Sequence, residues 1–143
     1  MVPQDYQNHP QQRNQQQNAV FNPDWIKKGA DEKMIEFSKE MGKYLKNKGV
    51  SSSQLRNIYG EIMRIKLKGL KKEKTAFYLL QPKIAYNAVR ISSYGTQKAF
   101  KDFINKAITP ALKAVDVEDE KTFNNFHKFF ESILAYHKFY GGK

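Results

Sequence analysis

The sequence predicts an all-α fold: a single compact bundle of about five helices behind a disordered N-terminal arm. Three observations carry this. Apolar residues recur at three- and four-residue spacing through most of residues 21–143, which is the period of a helix face. No stretch shows the strict alternation of a half-buried strand. Helix start and stop signals also fall between the periodic segments. With 143 residues, 40% of them apolar and 13% aromatic, the chain can build one modest core.

Residues 1–20 contain seven glutamines and no apolar period, so they read as the disordered arm, and residues 21–143 as the folded domain. Phe21, Trp25 and Ile26 are expected to tack the chain onto that domain. The first long helix starts near Asp31, where Asp31 and Glu32 suit the positive end of the helix dipole. It runs on Met34, Phe37, Met41, Tyr44 and Leu45 to a stop at Gly49. Ser51 with Gln54 three residues later spells a capping box, opening a helix whose stripe is Leu55, Ile58, Tyr59, Ile62 and Ile65 and which ends near Gly69.

A third helical region covers about residues 71–91, with Gln81-Pro82 marking a break, a kink or a fresh N-terminus. Residues 92–96 read as a turn around Gly95. A fourth helix over about 96–115 is expected to kink at Pro110. The last helix follows the acidic run from Asp116 to Glu120 and buries Phe123, Phe126, Phe130, Ile133 and Leu134.

Charge gives the first functional signal. The formal net charge is +11, and residues 46–106 hold 14 Lys/Arg against three acids, leaving 11 of each sign elsewhere. All of the excess therefore sits in the middle of the chain. A folded surface of one sign stores repulsion that a polyanion relieves, with release of counterions. Nucleic acid is the partner this points to.

The same inventory speaks against catalysis. There are no cysteines, which removes disulfides, thiolate metal sites and cysteine nucleophiles and suits a reducing cytoplasm. The three histidines are His9, His127 and His137. The last two, ten residues apart on one helix, stand about 80° and ~15 Å from each other and cannot share a metal. No zinc-protease helix, phosphate-binding glycine loop or nucleophile elbow occurs. Neither catalytic nor metal-ligating residues are expected, nor any cofactor or membrane segment.

The candidate binding residues lie on two helices. Arg56, Gly60, Arg64 and Lys68 follow one another at four-residue intervals, opposite the apolar stripe. Arg56 and Arg64 stand about 12 Å apart along the axis, roughly two phosphate steps. Guanidinium forks fit phosphate oxygens, and Gly60 between them removes a side chain that would hold a backbone away. Glu61 beside the row is placed to brace one arginine. After Pro82, Lys83, Asn87 and Arg90 share a face backed by Ile84, Ala85, Ala88 and Val89. If Pro82 opens that helix, its free N–H groups add an anion site. Arg56, Arg64 and Arg90 are the only arginines apart from Arg13 in the arm. The lysines from Lys66 to Lys74 add nonspecific attraction, and Tyr59 and Tyr94 are candidate stacking residues; the phenylalanines of the last helix are better read as core.

These segments also carry a resemblance. Residues 51–65 (SSSQLRNIYGEIMRI), 79–90 (LLQPKIAYNAVR) and 133–143 (ILAYHKFYGGK) resemble, in order, motifs of the small-subunit family of the type III-A CRISPR Csm effector complex. The similarity covers nearly everything but the arm. It implies a non-catalytic, all-helical subunit stacked in several copies beside the RNA-cutting backbone subunits. It also implies contact with the crRNA and target RNA through basic residues. Carried onto this sequence, Gln54, Arg56 and Arg64 fall in the first motif and Lys83 and Arg90 in the second. His137 and Lys138 fall in the third, where packing or subunit contact is expected. Gln81 departs from the family's more often basic residue before the proline. Other Csm subunits and further copies of the chain are the implied protein partners. The expected function is sequence-independent backbone binding within an antiviral ribonucleoprotein, because guide pairing supplies the specificity. The rival from another class is a helical protein–protein adaptor whose basic face docks on an acidic partner. A helix-turn-helix DNA-binding regulator and an enzyme rank below it.

Overall fold

The computed structural model describes residues 20–143; the expected arm, with His9 and Arg13, lies outside the described residues apart from Val20. The elements are α1 (Asp24–Lys27), α2 (Glu32–Asn47), α3 (Ser52–Lys68), α4 (Lys74–Val89), α5 (Tyr94–Phe103), a π-helical turn (Ile104–Ile108), α6 (Thr109–Ala114) and α7 (Glu120–Phe139). Since α5, the π turn and α6 follow without interruption, the expected bundle of about five substantial helices is what forms, and no strand occurs among the described residues.

Local chemistry sets the boundaries. Asp31 Oδ1 accepts the Met34 N–H at 2.9 Å, capping α2. Ser51 and Gln54 form the reciprocal box: the Gln54 N–H donates to Ser51 Oγ at 3.1 Å and the Ser51 N–H to Gln54 Oε1 at 2.7 Å. Gly141, at φ +95°, ends α7 by passing its N–H to Lys138 O, while the Gly142 N–H reaches back to His137 O at 2.8 Å. This Schellman closure accounts for Gly141, whereas Gly142 is required by the His137 ring, which a Cβ there would strike.

Helix α7 is the centre, packing against α2, α1, α3 and α6. Phe123, Phe126, Phe129, Phe130 and Ile133 are at most 1% exposed, so the phenylalanine-rich helix is core as expected; Leu134 is only partly buried. Trp25 and Phe21 close one end, with ring centroids 5.4 Å from Phe37 and 5.3 Å from Phe129 respectively. At the crossing of α2 and α7, Gly42 lets the helices touch: a Cβ there would meet His137 N at 2.7 Å. His137 is itself fully buried, its Nε2–H donating to Val50 O at 2.7 Å, which ties the last helix to the α2–α3 connection.

The expectation at Pro82 needs correction. Pro82 neither breaks α4 nor opens a new helix; it lies inside a continuous Lys74–Val89 helix. Leu80 and Ile84, both buried, pin the helix on either side of it, while Pro82 faces solvent, where the carbonyl it displaces can be hydrated. The extra anion site of free N–H groups therefore does not exist. Pro110 follows a π turn, and both are recognised causes of a bend. The π turn ahead of it shifts the pairing, with the Thr109 N–H reaching Ile104 O, and Pro110 enters the first turn of α6, where a missing N–H matters least. The expected turn at residues 92–96 is shorter, because α5 already begins at Tyr94.

Candidate nucleic-acid interface

Helix α3 buries Leu55, Ile58, Ile62 and Ile65, which turns Arg56, Gly60 and Arg64 outward. Four-residue steps drift by about 40° each on a helix of 3.6 residues per turn, so the row slants across the outer face. Arg56 stands at the α7 edge, lining a depression of about 230 Å³ with Tyr59, Glu131 and Lys138. Gly60 faces straight out, and a Cβ placed on it would meet nothing within 4 Å. Arg64 and Lys68 lean the other way. Lys68 Nζ pairs with Glu73 Oε1 at 3.8 Å.

Glu61 is the hinge of the arrangement. Its Oε2 takes an Arg64 N–H and lies 3.4 Å from Lys83 Nζ, bridging α3 to α4. Arg64 and Lys83 stay about half exposed in these pairs, 54% and 49% respectively. Exposed pairs of this kind add little stability; what Glu61 does is hold two cations, drawn from the two separate motifs, at one seam. Between the helices runs an open groove of about 520 Å³, walled by Asn57 and Glu61 from α3 and by Leu79, Pro82, Lys83, Tyr86 and Asn87 from α4. Arg90, just past the end of α4, lies over the Tyr86 ring, 5.9 Å from its centroid.

Among the expected site residues, Arg64, Lys83, Asn87 and Arg90 are thus gathered around one groove, with Gly60 and Arg56 on the adjoining face of α3. Lys68 lies toward the far end of the same helix. Gln54 has its carbonyl oxygen committed to the helix cap. Tyr59, expected as a stacking residue, is spoken for by the fold. Its ring stacks on His127 at 5.4 Å, and its hydroxyl donates to Glu131 at 2.6 Å. That bond, burial and the Glu131 charge push the Tyr59 hydroxyl up to about 12. His127, only 5% exposed, has Lys66 Nζ 3.4 Å from Nδ1 and Tyr59 Oη 3.2 Å from Nε2. Burial first, then the Lys66 charge, hold its pKa below the usual histidine value.

Tyr94 is 80% exposed, as a stacking residue must be. Sequence reasoning passed over Tyr86, 64% exposed and central to the groove. The signal was there in the spacing, since Tyr86 stands three residues after Lys83 and four before Arg90 on an outward face. Among the described residues no group of three or more His, Cys, Asp or Glu side chains could hold a metal ion, and no helix is long and apolar enough to cross a membrane.

A family model described as Csm2 Type III-A matches residues 28–143, the span holding α2 to α7 and every residue of the groove. The chain belongs to the Csm2 type III-A family. It is similar to the CRISPR system Cms protein Csm2 of Streptococcus thermophilus, 46% identical over 50 residues, which are 34% of this chain and 40% of that protein. No solved structure matches the chain. Within the Csm2 family match, the first two motifs meet across the α3–α4 seam, while the third forms the C-terminal end of α7, burying Ile133 and His137 and leaving Phe139 exposed. His137 is a packing residue, as expected of that motif.

Proposed function

We propose that this Csm2-family chain is a non-catalytic small subunit of a type III-A CRISPR ribonucleoprotein that holds the crRNA and target RNA by their backbones. Other Csm subunits and further copies of itself complete the assembly. One observation carries the reading. Arg56, Arg64, Lys83 and Arg90 come from two successive motifs and are all exposed on two neighbouring helices, joined by Glu61, with Gly60 presenting bare backbone between the two arginines of α3. All four sit within residues 46–106, the stretch that carries the whole net charge of the chain.

Such a surface attracts phosphate without reading bases, since phosphate contacts position a strand and carry no sequence information. Weak affinity per copy is sufficient, because copies aligned along one RNA act at high effective concentration. The test is filter binding of the full chain to two single-stranded RNAs of equal length and unrelated sequence, over a salt series. Equal affinities that fall together with salt are expected. A marked preference for one sequence would contradict backbone recognition. Incubation of either RNA with the protein, with and without Mg²⁺, is expected to leave it intact.

The adaptor reading keeps one observation in its favour. Tyr78, Leu79 and Val89 on the outer side of α4 are 61%, 47% and 58% exposed, an apolar edge suited to another subunit. Leu79 belongs to both this edge and the wall of the groove, so a protein bound there and an RNA bound in the groove would meet at that residue.

A further inference from the structure

Two residues on the α3–α4 surface break the rules of the helices that hold them. Gly60 costs its helix up to about 1 kcal/mol relative to alanine, and a Cβ there would touch nothing. Pro82 lies mid-helix and faces solvent. No packing inside the chain accounts for either. Local conflicts of this kind collect at functional sites, and Pro82 is one wall of the groove that runs between the helices.

The groove has the features of a ligand seat as well as a charged surface. Its volume of about 520 Å³ falls in the ordinary range for small planar ligands. Its apolar wall is Leu79 and Pro82 with the Tyr86 ring, which stays 64% exposed although Arg90 lies over it. Its polar wall is two carboxamides, Asn57 and Asn87, together with the Glu61 carboxylate, whose charge Arg64 and Lys83 offset. A carboxamide offers a donor and an acceptor side by side, the pattern that base edges match. Cations rim the opening: Lys83 and Arg64 held by Glu61, and Arg90 over Tyr86.

We propose that this groove seats one unpaired RNA base. The base stacks on Tyr86, Asn57 and Asn87 bond its edge, and Lys83, Arg64 and Arg90 hold the phosphates on either side. The charge at the rim favours a polyanion over an apolar peptide, and the flat apolar wall does what phosphate contacts alone would not need. Every base has a ring face, so the seat is tolerant of sequence. The proposal rests on the RNA-binding reading and adds a base contact to it.

The test uses the full chain and a uridine-rich single-stranded RNA carrying one central 2-aminopurine, whose emission reports stacking. Wild-type protein is expected to change that emission on binding. Tyr86→Leu is expected to remove the change and to weaken binding by roughly 5- to 150-fold, the range that one aromatic stacking partner is worth. It should leave the salt slope as it was, because no phosphate contact is lost. Tyr86→Phe is expected to keep both signals. Tyr86 is exposed, so the fold tolerates either change; circular dichroism checks this. RNA bound with wild-type affinity by Tyr86→Leu and an unaltered emission change would overturn the base seat while leaving backbone binding intact. The same result with loss of association between copies of the chain would make the groove a protein-docking site. A protein that binds no RNA at any salt concentration would sink both readings.

Discussion

Replacing Gly60 with alanine separates what the fold wants from what the proposed RNA surface wants. The glycine sits mid-helix in α3, with nothing within 4 Å of a Cβ built on it. Alanine there loses no contact and restricts the unfolded chain, which stabilises a helix by about 0.5–1 kcal/mol. For a domain of this size that amounts to a melting temperature roughly 2–4 °C higher. RNA binding should move the other way. Backbone N–H groups inside the helix are already paired, so what a close phosphate or ribose gains at Gly60 is van der Waals and Cα–H contact, about 0.5–1 kcal/mol. Losing it raises Kd by roughly two- to fivefold. Gly60→Leu extends the series, with similar stability and weaker binding still. Thermal melts paired with filter binding on the same preparations read both quantities. A stabilised variant with unchanged affinity would refute the idea that a strand passes over Gly60. A fall in melting temperature would refute the open space assigned to it.

Three further changes follow from the packing. Pro82→Ala restores a helix donor and removes a ring clash, so chemical denaturation should show stability higher by about 1–3 kcal/mol, with the groove wall lost. Gly42→Ala drives a Cβ to within 2.7–3.0 Å of α7 backbone and Cβ atoms, and the same assay should show a loss of about 1–3 kcal/mol. His127 is held neutral by burial and by Lys66, against the opposing pull of Glu131. Its folded pKa lies below 6.5, so the unfolded chain takes up the proton more readily. Its contribution is present well above about pH 6.5 and is lost progressively as pH falls below that value; His127→Gln should flatten the stability–pH curve on the acid side of about pH 6.5.

Much of this molecule was legible before its structure. The helix periods, the Ser51–Gln54 box and the Asp31 cap are local signals, and local chemistry decided them. The break or restart read at Pro82 does not form because tertiary packing overrode a local rule: buried Leu80 and Ile84 carry α4 past it, while at Pro110 a π turn that no local signal announced delivers the proline into the first turn of α6. The basic rows were legible as spacing on each helix. Their convergence was not, because it depends on Glu61 of α3 meeting Lys83 of α4, a contact across 22 residues that no helical period encodes. Tyr59 shows the reverse error. Its side chain looked available on a wheel, but its partners Glu131 and His127 come from the far end of the chain.

The central claim is that the arginines of α3 grip an RNA backbone, and the salt dependence of binding tests it most directly. With Arg56→Ala and Arg64→Ala combined, the slope of log Kobs against log salt for single-stranded RNA should become shallower by about 1.4 to 2, close to one unit per lost phosphate contact. Helicity should stay at the wild-type level, since both side chains are exposed. A double variant that keeps the wild-type slope and affinity would contradict the account and leave the basic face to a protein partner.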